Sequence, residues 1–363
     1  QVRAFDARGG QSLFFDDVNG VDVHVDDNPE ALARAIVEAS PDLVVVSPGI
    51  PAHHPVFSAC EAAGIEVWGE VELAWRLQEE GPHAGRPWLV VTGTNGKTTT
   101  VGMLGEILRC AGAKAEEVGN IGTPITRAID SDAEVFAVEL SSFQLHTART
   151  VSPLASICLN VDADHLDWHG TVEAYAADKA RVYENTIRAC VYPASDRRVE
   201  QMVENADVVE GARAIGLTLG APTVSQFGIV EGLLVDRAFV EDRARHAAAL
   251  AHISDLAGAY GPHPSAAVVS DALAAAALAR YPRAGFQPIP AAPVLPRGLR
   301  AGVLRHRLRC ERLHHARQGR GLTESKGLRG EHRDRWVRGI PPGNQRKLTR
   351  RSSERPLVQP AGE

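Results

Sequence analysis

The chain has 363 residues, a length typical of two or three domains, and a formal net charge of −6 from 39 basic and 45 acidic residues. The charge is unevenly divided, because residues 281–363 hold 19 basic and 6 acidic residues, a net of +13, which leaves −19 for residues 1–280. No apolar run approaches the roughly 18 residues that span a bilayer, and no secretion signal is visible. The 5 scattered cysteines, with no C-x-x-C pair, argue against a disulfide scaffold or zinc ribbon and favour a reducing cytoplasm.

Residues 1–280 alternate short apolar runs with longer helical patterns, which is typical of parallel α/β domains. Residues 1–77 are expected to form an incomplete, Rossmann-like N-terminal domain. Its predicted elements are strands at 2–6, 42–47 and 65–68 and a helix at 29–40. The polar stretch 78–87, which contains Gly81, Pro82 and Gly85, is expected to be a linker.

Residues 88–280 predict a central P-loop domain with a mainly parallel sheet, so the fold class is α/β. Its predicted strands are 88–92, 135–140 and 154–160, and its predicted helices follow residue 99 and cover 171–187, 235–250 and 271–280. Residues 264–269 look like an insertion before the last helix. The Arg- and Pro-rich tail 281–363 shows no alternation of strands and helices and is expected to be disordered or aberrant.

The strongest motif lies between an apolar strand and an amphipathic helix. It consists of Gly93, Thr94, Asn95, Gly96, Lys97, Thr98 and Thr99. Backbone N–H groups of such a turn bind phosphate at a helix N-terminus, while Lys97 would reach the outer phosphates and Thr98 a Mg²⁺ ion. The spacing departs from G-x-x-x-x-G-K-[ST], because Val91 stands where the first glycine is expected. An ordinary turn is therefore the alternative.

Acidic residues follow two later strands. Glu139 ends the strand 135–140, at the edge where parallel sheets bind ligands, and would complete the Mg²⁺ site with Thr98. The alternative is a solvated carboxylate. Residues 160–169 place three carboxylates and two imidazoles after another strand, and their oxygen-rich surroundings favour Mg²⁺ over zinc. An acidic loop without a metal is the alternative there.

Lys179 lies on the apolar face of the helix predicted at 171–187, because it follows Tyr175 by four residues and precedes Val182 by three. A lysine at such a position extends its amine to solvent, pairs with a carboxylate, or is desolvated enough to become neutral and reactive.

Together these motifs resemble the Mur ligases, the ATP-dependent amide ligases of peptidoglycan precursor synthesis. The resemblance covers about residues 1–280 and is carried by GTNGKTT at 93–99, GNIG at 119–122, ELSSFQL at 139–145, DHLD at 164–167, YAADKARVYEN at 175–185 and SPGI at 47–50. The first motif is common to Mur and folylpolyglutamate ligases. ELSSFQL combined with SPGI resembles the family member that adds D-glutamate.

The resemblance implies a role for each matching residue. In the UDP-binding N-terminal domain, Asp6 and Arg8 match a D-x-R motif, with Ala7 where the family has Thr, and Ser47 and Gly49 match SPGI. The residues that would face the UDP-sugar substrate are Asn120, Ser141, Ser142 and Gln144. Thr98 and Glu139 would hold one Mg²⁺, and His165 the second together with a carbamylated Lys179. The implied catalytic residues are Lys97, His165 and Lys179.

The resemblance also implies the reaction and the ligands. The ligands would be ATP, Mg²⁺, UDP-N-acetylmuramoyl-L-alanine and D-glutamate, bound by a cytoplasmic monomer with no membrane or specific nucleic-acid partner. The alanyl carboxylate would attack the γ-phosphate of ATP, and the amine of D-glutamate would displace phosphate from the resulting acyl phosphate.

Three departures from the family pattern limit this expectation. The first strand and glycine turn of the N-terminal domain are absent before Val2, Pro264 follows His263 where the family has Asn, and the third-domain motifs are not found after Tyr281. A wrong-frame or degenerate end is our preferred interpretation of the tail, and we expect little or no turnover. The alternatives are an inactive nucleotide-binding remnant and nucleic-acid binding through the basic tail.

Overall fold

The computed structural model describes residues 2–7 and 21–280, which form three sheets flanked by helices. The predictions made for Arg8 and for the tail 281–363 lie outside the described residues. The α/β class is confirmed, because most strand pairs of the large sheet are parallel and helices connect them.

The N-terminal region contains two small parallel sheets and two helices. Its elements are β1 (Arg3–Asp6), β2 (Asp22–Val25), α1 (Pro29–Glu38), β3 (Leu43–Val46), α2 (Pro55–Ala63) and β4 (Glu66–Gly69). Strand β1 pairs with β2, and β3 pairs with β4. Helix α1 begins after Asn28, whose side chain accepts hydrogen bonds from the backbone N–H of Glu30 and Ala31. The two helices pack together around Leu32 and Cys60.

Helix α3 (Glu70–Glu80) continues into the stretch predicted as a linker. Its Gln78 side chain donates to the carbonyl oxygen of Arg86 at 3.1 Å. The buried guanidinium of Arg86 donates to three carbonyl oxygens at the end of the short helix Ile125–Ala128. Val71 and Trp75 of α3 pack in the core of the central region. These contacts attach residues 78–86 to the central region, and they satisfy the buried polar side chains of Gln78 and Arg86.

The central region is built on one large sheet. Its elements are β5 (Trp88–Thr92), α4 (Lys97–Cys110), β6 (Ala115–Gly119), α5 (Ile125–Ala128), β7 (Val135–Glu139), α6 (Ser142–His146), β8 (Ala155–Cys158), α7 (Leu166–His169), α8 (Val172–Ala180), β9 (Ala189–Pro193), α9 (Arg197–Asn205), β10 (Arg213–Leu217), β11 (Gln226–Val230), β12 (Leu233–Asp236), β13 (Ala248–His252), α10 (Ala257–Tyr260) and α11 (Ala266–Ala279). The sheet has 9 strands in the order β13-β12-β11-β10-β9-β8-β5-β7-β6, and β12 is antiparallel to both of its neighbours. Strand β5 therefore lies between β8 and β7, and the carboxyl ends of all three meet at one edge.

The prediction of a helix at 235–250 is wrong, because this stretch ends β12, forms a loop and begins β13. The Asp236 carboxylate accepts hydrogen bonds from the N–H groups of Ala238 and Phe239, which turns the chain out of the strand. The Arg237 guanidinium then donates to carbonyl oxygens of the loop. These side-chain contacts to the backbone compete with helix formation, and apolar spacing alone does not reveal them.

Two further helix boundaries differ from the prediction. Helix α8 ends at Ala180 and passes through a 3-10 turn to Asn185, whose φ of 55° is left-handed, so the helix is shorter than 171–187. Helix α11 begins at Ala266, after Ser265 caps it by accepting from the N–H of Val268. Part of the predicted insertion 264–269 is therefore the first turn of the last helix.

Helix α11 supplies much of the core beneath the large sheet. Ten of its residues are buried, and it packs closely against α4. An apolar surface on nearly every side is expected of a helix that lies between other elements rather than at the surface. Among the described residues, none of the helices has both the length and the apolar character needed to cross a bilayer.

The end of α11 is fixed by an ion pair between Arg280 and the fully buried Asp236, with Nε 3.0 Å from Oδ2. We expect Asp236→Asn to lower the free energy of unfolding by about 3 kcal/mol, because it leaves the guanidinium mostly buried without its counter-charge. Urea denaturation of the full chain measures this change. Asp132→Asn, which removes the exposed partner of Lys114, is the control and should leave the midpoint nearly unchanged. Equal changes in the free energy of unfolding for the two variants would contradict the stabilising role assigned to the ion pair.

Candidate functional site

The loop between β5 and α4 has the backbone of a phosphate-binding turn. Gly96 caps α4 with a φ of 86°, and a Cβ at this position would lie 2.6 Å from Asp271 Oδ1. Asn160 fastens the loop from the end of β8, because its side chain accepts from Asn95 N at 2.9 Å and donates to Asn95 O at 3.1 Å. These two hydrogen bonds thus fix the position of the loop. The loop leads into the N-terminus of a 14-residue helix, where the partial positive charge favours anions.

Two lysines converge on the carbonyl oxygen of Gly93. Lys97 Nζ donates to it at 2.8 Å and to Thr94 O at 3.0 Å, and Lys179 Nζ donates to it at 2.9 Å. The prediction that Lys179 is buried is confirmed, since only 2% of it is exposed. Burial, together with the nearby charge of Lys97, lowers the pKa of Lys179 to about 8. A sizeable fraction of the amine is therefore neutral at mildly alkaline pH.

Glu139 ends β7 beside this loop and is almost fully buried. Thr98 Oγ1 donates to its Oε2 at 2.9 Å, and Asn120 Nδ2 donates to its Oε1 at 2.9 Å. No basic side chain of the described residues forms an ion pair with this carboxylate. A buried carboxylate that has only neutral donors keeps its charge uncompensated, which is the usual condition of a cation ligand.

The carboxylates and imidazoles of residues 160–169 do not converge on one point. His165 is half exposed at the start of α7, with a left-handed φ of 51°, whereas His169 at the end of α7 is turned into the interior. Within residues 2–7 and 21–280, no three His, Cys, Asp or Glu side chains converge as a metal site. His165 Nε2 lies 3.4 Å from Asp164 Oδ2, and its ring packs against Phe143.

The residues predicted to face the substrate make hydrogen bonds within the protein. Ser141 caps α6 by accepting from Gln144 N, while the Gln144 side chain accepts from Ser141 N, which completes a capping box. The hydroxyl of buried Ser142 contacts His169 Nε2 at 2.9 Å. Asn120 is engaged with Glu139. These contacts fix where the four side chains lie relative to the phosphate loop.

The predicted residues of the N-terminal region lie at strand ends. Asp6 is the last residue of β1, and its carbonyl oxygen accepts from Asp26 N at 3.1 Å. Ser47 and Gly49 follow β3, where the Ser47 hydroxyl accepts from Gly49 N at 3.3 Å. Carboxyl ends of parallel strands are the ligand-binding edge of such sheets.

Sequence reasoning missed a buried network around Asp178. Its carboxylate accepts from Nδ1 of His146 and Nδ1 of His169, each at 2.9 Å. Burial lowers the pKa of His169 despite this carboxylate. The available signal was helical spacing, because Asp178 follows buried Tyr175 by three residues and therefore lies on the same face.

The large sheet and the glycine-containing loop before α4 are those of a P-loop α/β domain. Residues 91–220 match the family described as Mur ligase middle domain. The chain therefore carries a Mur ligase middle domain, and the resemblance inferred from its motifs is confirmed.

Relatives with an assigned activity match about two thirds to three quarters of this chain. The chain is 53% identical over 241 residues to the UDP-N-acetylmuramoylalanine–D-glutamate ligase of Streptomyces coelicolor. The aligned residues cover 66% of this chain and 50% of that relative. It is 46% identical over 278 residues to the enzyme of the same name from Leifsonia xyli, which covers 73% of this chain and 53% of the relative. The chain thus spans about half the length of these curated relatives.

The depressed pKa of Lys179 predicts how the free energy of unfolding depends on pH. An unfolded lysine has a pKa of about 10.4, whereas folded Lys179 has a pKa of about 8. As the pH falls from about 10 to 8, the unfolded chain therefore takes up a proton that the folded chain does not, and the free energy of unfolding decreases. We expect Lys179→Met to raise the free energy of unfolding at pH 7 by about 2 kcal/mol in CO₂-free buffer, after the lost hydrogen bond is counted.

The gain should shrink as the pH rises and vanish by about pH 10. Denaturant titrations at several pH values measure it. Lys114→Met, at an exposed lysine bonded to Asp132, is the matched control and should give no gain at pH 7. A gain from Lys179→Met that does not vary with pH would contradict the assignment.

Proposed function

We propose that the described region is the nucleotide- and metal-binding part of an ATP-dependent, ADP-forming ligase that adds D-glutamate to UDP-N-acetylmuramoyl-L-alanine. The observation that carries this proposal is the joint position of the Gly93–Thr99 loop, Lys97, Glu139 and Lys179 at one sheet edge. The identities of 46–53% to ligases of that name support the substrate class. A cytoplasmic site of action follows from the same substrates.

Lys97 is positioned to exchange partners when a triphosphate binds. Its amine now bonds to the carbonyl oxygens of Gly93 and Thr94, which are neutral acceptors. Phosphate oxygens are stronger acceptors for an ammonium group. The backbone N–H groups at the start of α4 would hold the same phosphates, so binding and charge neutralisation take place at one point.

Thr98 and Glu139 fit a Mg²⁺ ion, because hard cations take oxygen ligands and the Glu139 charge has no cationic partner among the described residues. When bound, Mg²⁺ neutralises charge on the phosphoryl group that is transferred. His165 and a carbamylated Lys179 are the proposed ligands of a second ion. The neutral amine of Lys179 can take up CO₂ with release of a proton, which gives a carbamate with two oxygen donors.

The proposed reaction has two displacements. The alanyl carboxylate attacks the γ-phosphate of ATP and ADP leaves, which gives an acyl phosphate. The amine of D-glutamate then attacks the acyl carbon, and inorganic phosphate leaves from the tetrahedral intermediate. The protein mainly positions the reactants and balances charge, which Lys97 and the carboxylate of Glu139 are placed to do.

Phosphate release by the full chain tests this function. We expect Lys97→Ala to abolish any release that depends on both UDP-N-acetylmuramoyl-L-alanine and D-glutamate, because the loop then loses its charge on the outer phosphates. Our expectation for the unmodified chain is little turnover with ATP binding retained. Release that needs both substrates and is lost in Lys97→Ala would establish the complete ligase and overturn that expectation. Absence of ATP binding would overturn the proposed function.

A further inference from the structure

Three short helices that carry candidate site residues meet at one carboxylate. His146 ends α6, His169 ends α7, and both donate from Nδ1 to Asp178 of α8 at 2.9 Å. The side chain of His169 is completely buried, and that of Asp178 is 10% exposed. Since Asp178 directly precedes Lys179, the carboxylate fixes the helix that presents this lysine.

The hydrogen bond to Asp178 defines one side of the His169 ring. A carboxylate only accepts, so Nδ1 of His169 carries the hydrogen of this bond. On the other side of the ring, Nε2 lies 2.9 Å from the Ser142 hydroxyl. One imidazole thus connects the start of α6, the end of α7 and the middle of α8.

The ring of His169 also lies between two aromatic rings of the site. It stacks on Phe143 with centroids 5.4 Å apart, and its edge contacts Tyr175 at 5.1 Å. The Tyr175 hydroxyl lies 3.0 Å from Thr94 Oγ1 in the phosphate loop, and Lys179 Nζ lies 4.6 Å from the Tyr175 ring. The packing of His169 therefore reaches both the loop and the lysine through Tyr175.

The position of His165 depends on the same contacts of His169. It holds a left-handed backbone at the start of α7, a conformation that a residue with a Cβ keeps only when its surroundings enforce it. The N–H of His169 donates to the carbonyl oxygen of His165 at 3.1 Å, which closes the single turn of α7. Because His169 holds the end of α7, it also holds His165 at the start of this turn.

We propose that His169, held by Asp178, is a positioning residue that sets His165 and Lys179 in place to bind the second metal ion of the proposed site. This inference rests on the proposed function, since it assumes that these two residues act at the nucleotide site. His169 itself does not touch the substrate, and it acts through the tie between α7 and α8.

The test compares how much Mg²⁺ strengthens binding of a non-hydrolysable ATP analogue to the full chain, measured by isothermal titration calorimetry. His169→Phe keeps the aromatic packing but loses both hydrogen bonds, and we expect it to reduce the Mg²⁺-dependent gain in affinity about 10-fold. Its affinity without Mg²⁺ should not change. His169→Asn, whose amide can still donate to Asp178, should restore most of the gain.

His146→Phe is the matched control, because it removes the other Nδ1 bond to Asp178 and touches neither Ser142 nor Tyr175 in the contacts described above. It should keep the full Mg²⁺-dependent gain at a similar cost in thermal stability. Nitrogen-15 spectra of the imidazoles should show His169 protonated at Nδ1 in the unmodified chain.

The outcomes separate the two proposals. If the unmodified chain gains no affinity from Mg²⁺, the proposed function fails. If it does gain affinity and folded His169→Phe retains that gain, or if His146→Phe loses it equally, the positioning role of His169 is overturned. Absence of a proton on Nδ1 of His169 would overturn it independently.

Discussion

The carbonyl oxygen of Gly93 holds two ammonium groups from different helices, and the arrangement of the site depends on this one acceptor. Lys97 reaches it from the first turn of α4, and Lys179 reaches it from α8. Burial of the Lys179 amine disfavours its charged form, and the nearby charge of Lys97 adds to this effect, so the pKa of Lys179 falls to about 8. In the proposed function each amine leaves this contact: Lys97 would turn to phosphate, and Lys179 would react as a free amine.

The large sheet explains why this acceptor has the right neighbours. Strand β5 lies between β7 and β8, so the phosphate loop, Glu139 and Asn160 leave three adjacent strands at the same edge. Asn160 fastens the loop, while Glu139 supplies negative charge beside it. Parallel strands connected through helices place such residues together regardless of their separation in sequence.

Much of this site could be predicted from local patterns. The phosphate loop follows from a strand, two glycines and a helix, and the burial of Lys179 follows from its spacing to Tyr175 and Val182. The network around Asp178 could not be predicted, because it joins residues 142, 146, 169 and 178 through the packing of three helices. The turn at Asp236 was missed for a similar reason, since side-chain bonds to the backbone overrode the apolar periodicity.

The central claim is that the loop after β5 binds the phosphates of a nucleotide through Lys97. Titration of the full chain and of Lys97→Ala with a non-hydrolysable ATP analogue and Mg²⁺ tests it most directly. We expect saturable binding by the unmodified chain at one site, and at least a 10-fold weaker affinity in the variant, because a charge-assisted bond to phosphate is lost. Equal affinities, or no binding by the unmodified chain, would contradict the account.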